Sequence, residues 1–292
     1  MIRHPAVAGQ FYAGSKDRLL REIEQCFLDK RGPGRLPQLG KRKNTLKGVV
    51  VPHAGYIYSG AIAAHSYNAI AENGFADVFF ILGPNHTGVG SGVSVYPSGE
   101  WKTPLGNAAV DEALVREIAG GIIDIDETAH RYEHSIEVQL PFLQYIAGKT
   151  RFSIVPICMA MQDYETSLEV GKAIADVAKN IDKRVVIIAS SDFSHVGFNY
   201  STLPPSGKRV DEYAMEQDKI AIDKILELDA RGLIEEVYQR NITMCGYGCV
   251  AAMIVACKNL GVKKAKLLKY GTSFEVYPAD SCVGYGAIAV TE

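Results

Sequence analysis

Short, β-branched apolar runs alternate along this chain with stretches of helical periodicity, and most of the runs carry apolar residues on both faces. LKGVVV (46–51), ADVFFIL (76–82), RFSIVPI (151–157), KRVVIIAS (183–190), AKLLKYGTSF (265–274) and VGYGAIAV (283–290) read as strands. A strand apolar on both faces needs cover on both sides, which is the environment of a sheet between helical layers. The intervening helices read as 15–29 with Ser15 as N-cap, 59–72, 111–120, 134–146 despite Pro141, 163–180, Asp211 to about Asp229, and 249–260. The alternation predicts an α/β fold: one three-layer αβα domain spanning 1–292 around a mixed, largely parallel central sheet. The Gly-, Pro- and Lys/Arg-rich stretch GPGRLPQLGKRKN (32–44) reads as an exposed loop rather than a domain boundary.

Charge and composition remove several functional classes. Lys and Arg total 31 against 33 Asp and Glu, a formal net charge of −2, so the basic excess that phosphate-backbone contacts demand is absent and nucleic acid is not an expected partner. The longest strongly apolar stretch, GCVAAMIVAC (248–257), is far short of the ~18 residues of a membrane helix. The N-terminus has no secretory signal pattern, and the six cysteines contain no CxxC pair, so reduced thiols and a cytoplasmic location are expected. No P-loop, no GxGxxG after a strand and no GxSxG elbow is present, which argues against the common nucleotide-dependent and serine-hydrolase chemistries.

Three of the strands end alike. GVVV runs into Pro52-His53-Ala54-Gly55-Tyr56, VFFIL into Gly83-Pro84-Asn85-His86-Thr87-Gly88, and VVIIAS into Ser191-Asp192-Phe193-Ser194-His195. Ligands of open α/β sheets bind beyond the carboxyl ends of the strands, so His53, His86, Asp192 and His195 are expected to share one site. Cys245 stands just before the apolar helix, where a helix dipole favours the thiolate. It reads as a nucleophile, a soft metal ligand or a small buried thiol, whereas Cys249 and Cys257 fall in the core pattern. His134 and Glu137 are three apart and would share a helix face that could support a site, while Glu133 or Glu137 could equally cap a helix start.

Taken together, Ala8-Gly9-Gln10-Phe11-Tyr12, PHAGYIYSG (52–60), LGPNH (82–86), WKTPLG (101–106), EHSIEVQLPFL (133–143), SSDFSH (190–195) and Met244-Cys245-Gly246 make the chain resemble the Memo family over essentially its whole length. Phe11 departs from the human member, which has Trp there. The resemblance implies a fold similar to the class III extradiol dioxygenases, which hold iron(II) with two His and a carboxylate. By that likeness His53 and His86 would be metal ligands, Cys245 would replace the carboxylate, and His195 would fall at the position of the catalytic base with Asp192 beside it. A thiolate suits iron(II), copper or zinc. His134 and Glu137 would support the ligands from behind. The family has been linked to iron binding and copper-dependent oxidation, and its prokaryotic genes lie near those of a radical SAM protein and an AMME-type protein.

The first function this implies is a metal-dependent redox protein. The alternative is a non-catalytic module that holds a protein or peptide partner in the same cleft, as an adaptor role of the eukaryotic member implies. A Cys–His hydrolase built on Cys245 and His195 would leave His53 and His86 without a role.

Overall fold

Val49, Val50 and Val51 on one strand and Ile187, Ile188 and Ala189 on its neighbour have no exposed surface, because helices cover both faces of the sheet they share. The computed structural model describes residues 1–292. In chain order its elements are β1 (Ile2–Arg3), α1 (Lys16–Leu28), β2 (Leu46–Val51), α2 (Tyr56–Glu72), β3 (Val78–Pro84), β4 (Val93–Val95), β5 (Glu100–Thr103), β6 (Gly106–Val110), α3 (Glu112–Ile118), β7 (Asp124–Ile125), α4 (Leu140–Ala147), β8 (Ser153–Met159), α5 (Tyr164–Lys179), β9 (Val185–Ser190), β10 (His195–Gly197), α6 (Val210–Leu226), α7 (Ala230–Arg240), α8 (Tyr247–Asn259), β11 (Lys264–Thr272) and β12 (Ser281–Thr291).

The strands form one 12-stranded sheet with the path β1-β5-β6-β8-β3-β9-β2-β12-β10. Its centre, β6-β8-β3-β9-β2, is parallel, and β12 closes it antiparallel on β2. This is the expected three-layer α/β fold with a mixed, mostly parallel sheet. α5, α7 and α8 pack on one another over one face, with α1, α2 and α4 over the other. A single cluster of 78 buried apolar residues runs through both layers. No helix is long and apolar enough to cross a membrane.

Two expectations need correction. The helix read over 134–146 begins late: a 3-10 turn spans Glu137–Gln139, and α4 starts at Leu140 with Pro141 in its first turn, where the missing N–H costs nothing. The helical region expected from Asp211 to Asp229 ends at Leu226. Leu228 turns the chain at a positive φ of 56°, and Asp229 then caps α7 by accepting the Gly232 N–H. Segment 32–44 carries no helix or strand, as expected.

The N-terminal segment is locked down by a buried ion pair. Arg3 Nη1 reaches Glu137 Oε2 at 2.7 Å, its Nε and Nη2 donate to the carbonyls of His130 and Glu133, and its guanidinium lies 4.1 Å from the centroid of the Trp101 ring.

Candidate metal centre

β3, β9 and β2 lie side by side and parallel, so their carboxyl ends open on one edge. His86, Asp192 and His53 each stand two residues beyond the last residue of their strand (Pro84, Ser190 and Val51). The shared site expected from the sequence is therefore assembled by sheet register. The ring centroids of His53 and His86 are 5.2 Å apart, and His134 joins them at 5.5 Å from His53 and 4.7 Å from His86. One ring nitrogen from each of the three falls within 4.8 Å of the others.

Hydrogen bonds settle which nitrogens face each other. Ser190 Oγ donates its single proton to the Ser135 carbonyl at 2.7 Å and accepts from Gln139 Nε2 at 2.8 Å. Its 2.8 Å contact with His53 Nδ1 therefore requires the ring to donate, which leaves a lone pair on His53 Nε2. His86 Nδ1 lies 2.9 Å from Glu133 Oε1, which can only accept, so His86 Nε2 is fixed in the same way. Glu133 also accepts the backbone N–H groups of His86, His134 and Ser135. Burial works against its charge, but the His86 bond and the nearby imidazoles outweigh it and hold its carboxyl at about 2. Burial lowers the pKa of His86 too, and here Glu133 outweighs it, so the net direction is upward. His53 has no such partner, and burial keeps its ring neutral.

Cys245 Sγ sits 3.1 Å from His53 Nε2. The expectation that the dipole of α8 favours its thiolate is not met. Burial and the charge of Asp192 push the thiol well up, and the Asp192 N–H at 3.3 Å and the Ser191 hydroxyl only partly oppose them. Cys245 is thus a thiol with two acceptors in reach of its proton, the His53 lone pair at 3.1 Å and the Asp192 carbonyl at 3.5 Å. Cys249 and Cys257 are fully buried on α8, as their apolar setting predicts.

The supporting roles are redistributed. Glu137 does not touch the histidines. Its oxygens are taken by Arg3, the N–H groups of Ala6 and Val7, and the Tyr12 hydroxyl, so it anchors the N-terminal segment, and Glu133 takes the place expected for it. His134 stands beside His53 and His86 rather than behind them, one ring nitrogen of each lying within 4.8 Å of the others. Asp192 accepts the His53 N–H at 2.7 Å and does not orient His195, whose Nδ1 is held 3.0 Å from the Thr243 carbonyl.

His53, His86, His134, Asp192 and His195 all line one cleft of about 410 Å³, whose mouth carries Phe11, Tyr58, Tyr200 and Tyr277. Sequence reasoning did not find these tyrosines. The three come from separate segments, the first turn of α2, a 3-10 turn over Phe198–Tyr200 and the loop before β12, and no local pattern marks them. Glu133 had a signal: a carboxylate directly before a histidine, at a turn.

A family model described as Memo-like protein matches residues 3–289. A MEMO1 family protein of Methanopyrus kandleri is 48% identical over 293 residues, covering 99% of this chain and 98% of that protein. Another, from Methanocaldococcus jannaschii, is 48% identical over 298 residues, covering 100% and 99%. Among solved structures, the uncharacterized protein JW3007 from Escherichia coli K12 is similar with a TM-score of 0.52 over 83% of this chain and 99% of that one. At 13% identity the likeness concerns the fold alone.

Proposed function

The chain belongs to the Memo family, and on that premise we propose that the histidine cleft is a non-haem metal centre for iron(II), serving a redox or oxygen-linked reaction. One observation carries the reading: protein acceptors hold the Nδ1 protons of His53 and His86, so two Nε2 lone pairs are turned toward the site, one of them already against the Cys245 thiol. His53, His86 and Cys245 would hold the ion, with His134 adding a third imidazole. This mixed nitrogen and sulfur set suits iron(II), copper or zinc better than magnesium or calcium. A bound iron(II) would supply a redox-active Lewis acid. The surrounding residues have separable tasks. Glu133 keeps His86 in its donor-ready tautomer, Asp192 secures the backbone of His53, and His195, fixed on Thr243, offers its other ring nitrogen as a proton acceptor beside the cleft.

Anaerobic titration with iron(II), with copper(I) and zinc in parallel, tests this on protein purified without chelators. Near-stoichiometric uptake that is lost in His53→Ala is expected. Equal and negligible uptake by both proteins overturns the proposal.

A further inference from the structure

Phe11 lines two cavities. Its ring packs against His134 with centroids 4.8 Å apart at the mouth of the histidine cleft, and it also walls a second groove of about 560 Å³ that runs along α1. Its backbone is fixed from both sides. The Phe11 carbonyl accepts the Tyr56 N–H at 2.7 Å where α2 begins, and the preceding turn is tied to the Glu137 carboxylate through Ala6 and Val7. The two cavities thus adjoin along Phe11, whose side chain edges both.

The charges of the second groove are unusual for this molecule. Arg18 and Arg21, three apart on α1 and so on one face, both line it, and neither has a carboxylate partner. Other surface arginines do: Arg31 pairs with Asp29, Arg35 with Glu72, Arg42 with Asp77 and Arg240 with Glu236. The one acid in the groove, Glu22, accepts the Ala13 N–H on its Oε2 at 2.7 Å and forms no ion pair with either arginine. Gln25 adds an amide, and Ile57, 68% exposed, an apolar surface. Paired guanidinium forks beside an apolar wall suit an oxyanion at the end of a carbon skeleton.

We infer that the ligand of this protein is an elongated organic anion that enters the histidine cleft at one end, passes Phe11, and is held at its far end by Arg18 and Arg21 through a terminal carboxylate or phosphoryl group. This rests on the reading of the histidine cleft as the metal-bearing end.

Calorimetric titration of the zinc-loaded full chain with linear α,ω-dicarboxylates of increasing length, and with the matching ω-phosphonocarboxylates, tests it. Affinity should pass through a maximum at one chain length, and the arm with the higher maximum identifies the preferred oxyanion. Arg18→Gln/Arg21→Gln should weaken that best ligand about tenfold, with acetate binding and zinc uptake unchanged. Zinc uptake combined with diacid affinity that is flat in length, or undiminished in the arginine variant, overturns this inference alone. Failure of the native protein to take up either zinc or iron(II) overturns the metal reading and this inference with it.

Discussion

Cys245 and His53, 192 residues apart in the chain, meet with Sγ and Nε2 separated by 3.1 Å. Because the far side of the imidazole is already donating to Ser190, the proton between sulfur and nitrogen belongs to the thiol. A cation engaging both atoms would have to displace that proton.

Metal uptake should therefore release about one proton per ion, and apparent affinity should rise with pH. Calorimetry of zinc binding in two buffers of different ionisation enthalpy measures this directly. A heat independent of buffer would exclude Cys245 as a ligand. Cys245→Ser should weaken zinc at least tenfold, since a hydroxyl is a much poorer soft donor.

Glu133 gathers four donors: the N–H and Nδ1 of His86, and the N–H groups of His134 and Ser135. Glu133→Gln leaves a single acceptor oxygen for that set. Metal affinity should fall by roughly 10–100-fold, and stability by about 2–4 kcal/mol at neutral pH. The carboxyl is held at about 2, below its ordinary 4.5, so its contribution is complete above pH 4.5 and fades as pH falls toward 2. Melting curves of the two proteins should converge over that window, and parallel curves would refute the assignment.

Asp218 behaves in the opposite sense. Fully buried on α6, it accepts the Ser194 N–H and the Tyr270 hydroxyl, both at 2.7 Å, yet burial outweighs these bonds and raises its carboxyl from 3.8 to about 6. Between those values the folded protein holds a proton that the unfolded chain has released, so stability should decline as pH rises from about 4 to 6. Asp218→Asn keeps an acceptor and should remove that slope from a pH series of melting temperatures. Gly284→Ala should destabilise by several kcal/mol at any pH (about 2–4), because a Cβ there would sit 1.8 Å from Asp218 Oδ2.

Replacing Glu137 by Ala should cost about 3–5 kcal/mol, the range for leaving one member of a buried ion pair alone. Arg3, Ala6, Val7 and Tyr12 all lose their partner at once. Hydrogen exchange should rise first in residues 1–14, and protection there equal to the native level would contradict the anchoring role.

Much of this architecture can be read from residue order. Strand 46–51 is placed to the residue, and the three strand ends carrying His53, His86 and Asp192 do converge, because side chains at equivalent offsets on adjacent parallel strands must. The short strands β1, β4, β5, β6, β7 and β10 were not legible. Each has two to five residues and owes its extended shape to the neighbour it pairs with, as Ile2 does to Glu100. α7 was hidden because the positive φ of Leu228 occurs at a residue type that rarely signals a turn. The different surroundings of His134 and Glu137 have one cause: helical spacing does not extend across 133–136, where the Glu133 carboxylate caps the N–H groups that follow it.

The order of the sheet also sets a timetable for synthesis. Residues 46–51, 78–84 and 185–190 pair side by side, and the helix that follows Cys245 begins only at Tyr247, so His53, His86 and His134 are all synthesised well before Cys245. The contacts that join these strands rest on a 78-residue apolar core that includes none of the three histidines. If the cluster holds an ion as proposed, a chelator should strip it and leave the polypeptide folded.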